Sequence, residues 1–228
     1  MKSIIATFFS IVIFISCSES QSKSNAVNQH SSTSDSGKTD SIFVGNPIAP
    51  SENESVATFA EGCFWHAEIV FQSLVGVRDA VSGYSGGADA NPDYEKVCSG
   101  ETGHAESVQV YYDTTKITFA QLVDAFFASV DPTALNYQGN DEGTQYRSVA
   151  FYRNDEEKKI IDAAIQKIID SKKYSKKIVT EVKAFDKFYP AEEYHQEYVH
   201  QHPDQGYVRN VSIPEYLKFR NSFNGNFK

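Results

Sequence analysis

Short apolar runs rich in β-branched and aromatic residues alternate along the chain with longer segments of helical periodicity. The short runs predict four strands, over Val56–Phe59, Ser107–Tyr112, Ser148–Tyr152 and Val179–Ala184. The longer segments predict four helices, over Trp65–Leu74, Phe119–Ser129, Asp155–Asp170 and Ala191–His200. Elements mixed in this order predict an α/β or α+β domain with helices packed against a sheet, and leave its topology open.

Residues between these segments support the division. Thr118 and Asn154 stand directly before two of the predicted helices, and both residue types are typical N-caps. Glycine-rich loops at Ser82–Tyr94 and Asp131–Gln145 are longer than most connections in compact domains. Loops of that length usually carry a function, so they are expected near a site.

The N-terminal segment has the pattern of an export signal. A short basic start at Lys2 is followed by an uncharged, mostly apolar run over Ile4–Ile15, which is shorter than the about 20 residues that span a bilayer. The run ends in Ser16-Cys17, which resembles the lipobox of bacterial lipoproteins, with Phe14 and Ser16 departing from its commonest residues. The resemblance implies that residues 1–17 are a lipoprotein signal and that lipidated Cys17 anchors the chain to a membrane of the cell envelope. An ordinary secretory signal is the alternative.

A polar tether is predicted between this signal and the folded domain. Ser18–Asp40 contains no aromatic residue, has only Ala26 and Val27 as apolar side chains, and includes eight serines. Such a segment cannot bury enough surface to offset the entropy lost on ordering. We therefore expect a flexible tether over residues 18–55 and a catalytic domain over residues 56–228.

Composition and charge narrow the function. The 228 residues are 40% hydrophobic and 22% charged, as in ordinary globular proteins, and the net charge of −9 disfavours nucleic acid as a partner. The cysteines are Cys17, Cys63 and Cys98, too few for a disulfide scaffold, and no Cys-x-x-Cys pair is present to indicate a thioredoxin-like oxidoreductase. His195, His200 and His202 do not share one helical face, so no zinc site is expected.

Cys63 lies where a predicted strand passes through Gly62 into a predicted helix. At a helix N-terminus, free backbone N–H groups favour a thiolate, although the dipole supplies only about 0.3–1 kcal/mol. Burial against Phe64 and Trp65 would oppose ionisation. The position makes Cys63 a candidate nucleophile that needs a further activating group.

Five blocks of sequence together resemble the peptide-methionine (S)-S-oxide reductases, the type A methionine sulfoxide reductases. They are Gly62–Trp65, Gly83–Gly87, Thr102–Glu106, Gly139–Ser148 and Tyr189–Gln196, in the order of the family. One departure is His66, where the family usually has Gly. The resemblance implies a ferredoxin-like α+β fold with two layers, a monomer that needs no cofactor or metal, and reduction of the S epimer of methionine sulfoxide, free or in proteins.

The resemblance also implies a role for individual residues. Cys63 matches the nucleophile that attacks the sulfoxide sulfur, and Glu106 matches the acid that protonates its oxygen. Phe64 and Trp65 match the walls around the substrate methyl group. Tyr94 and Tyr146 match phenols that hydrogen-bond the sulfoxide oxygen, and Asp141 matches an acidic residue near the site; these seven are the predicted site residues.

Attack leaves a sulfenic acid on Cys63, which the family often resolves with a cysteine in its C-terminal tail. The tail here has no cysteine. Three routes remain open: a disulfide with Cys98 after local movement, attack by a small external thiol, or a thiol from a thioredoxin-like partner. An external thiol is favoured, because a disulfide requires Cα atoms within about 7 Å.

Two alternatives from other classes compete with this interpretation. A lipid-anchored module that binds exposed methionine or another apolar side chain would have an inert Cys63. A thiol peroxidase would also form a sulfenic acid, but it has no need for an aromatic methyl pocket. Alkylation of Cys63 at neutral pH, together with an assay on a methionine sulfoxide peptide, distinguishes an inert from a catalytic thiol.

Overall fold

A six-stranded mixed sheet forms the centre of the computed structural model, which describes residues 50–228. The strands are β1 (Glu54–Glu61), β2 (Val77–Ser85), β3 (Ala105–Asp113), β4 (Tyr137–Gln138), β5 (Asp141–Glu142), β6 (Ser148–Tyr152), β7 (Glu181–Ala184) and β8 (Phe188–Pro190). The α-helices are α1 (Phe64–Gln72), α2 (Tyr94–Cys98), α3 (Phe119–Ser129), α4 (Asp155–Asp170), α5 (Tyr198–Gln201) and α6 (Ile213–Ser222). A π-helical turn, Val208–Ser212, leads into α6.

The strand order β7-β6-β1-β3-β2-β8 contains a ferredoxin-like unit. In chain order, β1, α1, β2, β3, α3 and β6 form the β-α-β-β-α-β pattern, and their strands lie side by side as β6-β1-β3-β2, all antiparallel. Strand β7 extends the sheet in parallel to β6, and β8 extends it at the other edge, antiparallel to β2. The predicted α+β class with helices against a mixed sheet is confirmed.

The main core lies between the sheet and helices α1 and α3. Phe59 of β1 is fully buried, and its ring centroid lies 5.1 Å from that of Phe71 in α1 and 5.2 Å from that of Phe126 in α3. A smaller cluster that includes Ala60 and Phe151 covers the opposite face. Successive residues of a strand point to opposite faces, so Phe59 and Ala60 serve different layers. Strand β1 is thereby fixed in register, and the turn that follows it is held firmly.

The structure corrects the predicted helix over residues 191–200. This segment contains a 3-10 turn, Glu193–His195, and the separate short helix α5. Glu197 interrupts it in the left-handed conformation, with φ of 55°, and its backbone N–H donates to the buried carboxylate of Glu68 at 2.8 Å. A buried acceptor on α1 therefore fixes a backbone conformation that the apolar pattern of the segment does not reveal.

Other boundaries also differ from the prediction. Strand β1 covers Glu54–Glu61 and so begins two residues before the predicted strand, and Glu54 is paired with Arg78 at 2.6 Å. Residues 82–85, predicted as loop, belong to β2, a central strand whose small and polar residues give a weak alternating pattern. Helices α2 and α6 were not predicted, because neither has a clear amphipathic pattern.

The described part of the chain begins at residue 50. The predicted signal over residues 1–17, its Cys17, and most of the predicted tether therefore lie outside the described residues. Within residues 50–228, no helix is both long enough and apolar enough to cross a membrane.

Candidate active site

Cys63 lies at the N-terminus of α1, directly after the buried end of β1. Its carbonyl oxygen accepts hydrogen bonds from the N–H groups of His66 and Ala67, which begin the helix. Gly62 before it has φ of 94°, and a Cβ there would approach Cβ of Gln138 to 2.7 Å. Only glycine fits this turn without strain. The predicted strand–glycine–helix junction is present, and Cys63 as a residue is half-buried there.

Glu106, on β3, reaches the start of α1, and we term the site formed by the side chains around Cys63 and Glu106 the hollow. One carboxylate oxygen, Oε2, accepts the backbone N–H of Phe64 at 3.0 Å, and the side chain is only 1% exposed. Because Phe64 follows Cys63 directly, this bond brings the carboxyl group to the start of α1. Burial raises the pKa of Glu106 to about 8, the Phe64 N–H opposes the rise, and the charge of Asp141 adds to it. Glu106 therefore keeps its proton at neutral pH.

The thiol of Cys63 also keeps its proton in this environment. Burial and the charge of Glu106 raise the pKa of Cys63 well above its usual value, and the charge of Asp141 raises it further. Hydrogen bonds from the backbone N–H of Trp65 and from the Tyr207 hydroxyl lower the pKa of Cys63 and so oppose this rise. The helix N-terminus alone does not produce a thiolate here. Proton transfer must accompany any attack by the sulfur.

Two phenols complete the polar side of the hollow. Burial raises the pKa of Tyr94, at the start of α2, and the charges of Cys98, Glu106 and Cys63 add to it. Burial likewise raises the pKa of Tyr146, with contributions from Glu106 and Cys63. Both hydroxyls therefore remain neutral donors beside the carboxyl and thiol groups. A third phenol, Tyr84, is engaged elsewhere and donates to Glu192 at 2.8 Å.

Aromatic rings form the apolar side. Phe64 is 1% exposed, and its ring centroid lies 6.4 Å from that of Trp65 and 6.4 Å from that of Tyr94. The indole of Trp65 stacks on the ring of Tyr198 at 3.7 Å, with 5° between the planes. The rings of Phe64 and Trp65 form an aromatic wall beside Cys63, because Cys63, Phe64 and Trp65 are consecutive residues at the start of α1.

Sequence reasoning missed Tyr207. Its hydroxyl donates to Oδ2 of Asp141 in a short hydrogen bond, and it also contacts the Cys63 thiol. Tyr207 belongs to the segment before the π-helical turn, 144 positions after Cys63, and lies beyond the last of the five resembling blocks. No local signal marks it. Asp141 is thus connected to the nucleophile through a residue that only the fold brings near.

The remaining candidates lie around this centre. His66 is 5% exposed and lies beside Ser212, and burial lowers its pKa to about 4, so it is neutral. His195 is buried behind the aromatic wall, whereas His200 and His202 are exposed on or after α5. Cys98 ends α2 next to Tyr94, and burial raises its pKa. Hydrogen bonds and charge interactions thus place the seven predicted site residues around Cys63 and Glu106.

Comparison with known proteins shows the family to which the chain belongs. The sequence model of a family described as peptide methionine sulfoxide reductase matches residues 55–226. A protein of Polynucleobacter asymbioticus named peptide methionine sulfoxide reductase MsrA is 50% identical over 167 residues, covering 73% of this chain and 88% of that one. A protein of Rhodopirellula baltica named peptide methionine sulfoxide reductase MsrA 1 is 47% identical over 175 residues, covering 77% and 90%.

Solved structures give the same result. Methionine sulfoxide reductase A of Corynebacterium diphtheriae matches with a TM-score of 0.60 and 33% identity, covering 67% of this chain and 76% of that one. Mxr1 from Saccharomyces cerevisiae in reduced form matches with a TM-score of 0.63 and 35% identity, covering 68% and 89%. This chain therefore belongs to the peptide methionine sulfoxide reductase family, as a type A enzyme, and is an oxidoreductase that reduces methionine sulfoxide.

Proposed function

We propose that this enzyme reduces the S epimer of methionine sulfoxide, free and in proteins, by attack of Cys63 on the sulfoxide sulfur with proton donation from Glu106. The observation that carries the proposal is the Phe64 N–H to Glu106 hydrogen bond of 3.0 Å, which holds a protonated carboxyl group beside the nucleophile. A sulfoxide oxygen is a poor leaving group until it is protonated, so the attacking sulfur and the acid have to share one hollow.

The first half-reaction balances within the site. Sγ of Cys63 bonds to the substrate sulfur while Glu106 gives its proton to the sulfoxide oxygen. The substrate S–O bond and the new bond between the two sulfurs then break, the hydroxyl group moves to Sγ, and methionine leaves as the thioether. The thiol proton of Cys63 restores the acid form of Glu106. The substrate sulfur gains two electrons, the Cys63 sulfur loses two, and Cys63 ends as a sulfenic acid.

Selectivity for one epimer follows from three fixed positions around the substrate sulfur. The aromatic wall of Phe64 and Trp65 accepts the methyl group, and the hydroxyls of Tyr94 and Tyr146 hold the oxygen together with Glu106. Cys63 approaches from a third direction. With these three directions fixed, only one configuration at sulfur leaves the rest of the methionine side chain pointing outward. The family resemblance identifies that configuration as S.

Assays on the two resolved sulfoxide epimers test this proposal directly. We expect the protein to convert L-methionine-S-sulfoxide, and an S-sulfoxide peptide, to methionine with dithiothreitol as reductant. The R epimer should remain unchanged over the same time. Equal consumption of both epimers would contradict the proposed pocket, and consumption of neither would contradict the function.

Reduction of the Cys63 sulfenic acid is proposed to use an external thiol, from a thioredoxin-like protein or a small molecule. Two thiols of the reductant then yield a disulfide and water, which returns Cys63 to the thiol. Cys98 is a poor internal alternative, because burial raises its pKa and a neutral thiol attacks slowly. An inert Cys63, as in the binding-module alternative, is disfavoured by the family assignment.

Replacement of Cys98 by Ser tests the external route. We expect the Cys98→Ser variant to keep both its single-turnover rate and its multiple-turnover rate with a dithiol reductant within about twofold of the wild type. The measurement compares methionine formed per enzyme with and without dithiol. Normal single turnover with loss of multiple turnover would instead identify Cys98 as the resolving thiol.

The proposed location is the cell envelope, where lipidated Cys17 anchors the domain to a membrane and the enzyme repairs oxidised envelope proteins. The support is the apolar run over Ile4–Ile15 followed by Cys17, since the several acyl chains of a lipoprotein cysteine give the stable anchoring that one chain does not. Replacement of Cys17 by Ser should move the protein from the membrane fraction to the soluble fraction. A Cys17→Ser chain that stays in the membrane fraction would contradict this anchor.

A further inference from the structure

Two contacts fix the plane of the Trp65 indole. On one side the indole stacks on Tyr198 at 3.7 Å. At its edge the indole N–H donates to Nδ1 of His195 at 3.2 Å. Stacking alone permits the indole to turn within the stacking plane, whereas the added hydrogen bond removes that freedom. The position of the ring that bounds the substrate hollow is therefore defined by a residue 130 positions away in the chain.

His195 is built into the back of the aromatic wall. It is 2% exposed, and its ring centroid lies 5.0 Å from that of Phe64, 4.4 Å from that of Tyr94 and 4.1 Å from that of Tyr194. It thus contacts both the methyl wall and a phenol of the polar side. His195 lies behind these rings, so its proposed role does not require contact with the substrate.

The hydrogen bond specifies one form of His195. An indole N–H can only donate, so Nδ1 must carry a lone pair and the proton of the neutral ring must be on Nε2. Nε2 is buried with no hydrogen-bond partner within residues 50–228, and lies 4.0 Å from Oε2 of Glu192. The pocket therefore requires a neutral imidazole, in one tautomer.

We propose that His195 is a positioning residue that orients the Trp65 indole through its Nδ1 lone pair and thereby sets how tightly the substrate methyl group is held. The effect on substrate rests on the proposed function, whereas the effect on the indole does not. Glu192 supports the same arrangement, because its Oε1 accepts the Tyr94 N–H at 3.0 Å. One turn of chain around residues 192–195 thus holds both sides of the hollow.

Protonation of His195 is expected to break this arrangement. An imidazolium has N–H groups at both nitrogens, so Nδ1 would face the indole N–H as a second donor. The titratable groups that face His195 are Glu192 from its own turn and the phenols of Tyr94, from α2, and Tyr194; α1 presents only the rings of Phe64 and Trp65. Burial lowers the pKa of His195, and the charge of Glu192 partly opposes this. The Trp65 bond is therefore intact at neutral pH and lost as the pH falls.

Intrinsic fluorescence tests the coupling without any substrate, because Trp65 is the only tryptophan of the chain. A protonated imidazole quenches an adjacent indole, so the wild type should show a drop in emission as the pH falls below the ordinary titration range of histidine. His195→Gln should remove that transition, since its amide oxygen accepts the indole N–H without titrating. His202→Gln is the matched control, because the His202 ring lies 4.4 Å from the ring of Tyr198, tilted by 47°, and its loss should leave the transition in place. A transition that persists in His195→Gln would overturn the proposal.

Single-turnover kinetics test the consequence for substrate. His195→Leu should raise the half-saturating sulfoxide concentration about tenfold, with the maximal rate within about twofold, because it loosens binding rather than the acid or nucleophile. His195→Gln should restore most of the affinity at neutral pH. Equal weakening by Leu and Gln would overturn the positioning role. A wild type that reduces no sulfoxide would refute the proposed function, while the fluorescence result would still decide the coupling of His195 to Trp65.

Discussion

Replacement of Glu106 by Gln is expected to slow single-turnover reduction of methionine sulfoxide by about 10²–10⁴-fold, the usual contribution of a general acid. Gln keeps the volume of the side chain and retains an oxygen that can accept the Phe64 N–H. In the wild type that N–H lies 3.0 Å from Oε2 of Glu106. It has no acidic proton to give to the sulfoxide oxygen. The loss should therefore fall on the chemical step and leave the fold intact.

The pH dependence of the same step carries the second half of this prediction. The pKa of Glu106 is raised to about 8, so its acid form is present below that pH and is lost as the pH rises through it. The wild-type rate should accordingly fall at alkaline pH. In Glu106→Gln no such fall is expected, and the residual rate should increase with pH as the Cys63 thiolate forms.

The control for Glu106→Gln is alkylation of Cys63 by iodoacetamide, which needs no proton donor. Above a pH of about 8 the wild-type Glu106 is ionised and its charge raises the pKa of Cys63, so Glu106→Gln should alkylate at least as fast as the wild type there. Slow reduction with normal alkylation separates loss of the acid from loss of the site. A Gln variant with the full reduction rate would refute the acid role.

Replacement of Cys63 by Ser is expected to reduce sulfoxide turnover by on the order of 10⁴-fold or more. A thiol sulfur can take up the oxygen as a sulfenic acid, whereas the same step at a hydroxyl would form a peroxide. Ser also has no accessible anion in a hollow where burial and two carboxyl groups already raise the pKa of the thiol. Methionine formation in a single-turnover assay, measured over hours, checks this result.

Two further measurements interpret the Cys63→Ser variant. Its Trp65 fluorescence should still respond to added sulfoxide, since the aromatic wall and the phenols are unchanged. Cys98→Ser is the matched replacement of a second partly buried thiol next to the site, and it should remain active. Turnover by Cys63→Ser at a rate near that of the wild type would show that the nucleophile lies elsewhere.

The sequence predicted the parts of the site whose signals are local. The junction at Gly62 and Cys63 can be recognised because a strand, a glycine with positive φ and a helix follow one another within a few residues. Glu106 and Tyr146 were found only through blocks of sequence that resemble a family, and not from their own environment. Without that resemblance, Glu106 would have been read as a solvated charge at the start of a strand and Tyr146 as part of a surface loop, since nothing in their flanking residues indicates burial.

The boundaries failed where long-range contacts override the local pattern. The predicted helix over residues 191–200 is broken at Glu197, because a carboxylate on α1 captures its backbone N–H. Strand β2 was missed entirely, because a central strand can use small and polar residues when both of its neighbours supply the hydrogen bonds. Sequence periodicity indicates which face of a helix or strand is buried, but it does not indicate which groups from other parts of the chain contact that face.

The sequence by itself determined the α+β class and the reduction of methionine sulfoxide, because five blocks of residues resemble one family, and it predicted Cys63 as the nucleophile. Only the tertiary structure decided which groups of the site carry a proton at neutral pH. The raised pKa of Glu106, the short contact from Tyr207 to Asp141 and the neutral tautomer of His195 each depend on groups brought together from distant parts of the chain. Burial and hydrogen bonding shift the pKa of a group through the atoms that surround it in space. Those surroundings are set by the packing of β1, β3 and α1 and not by the order of residues along the chain.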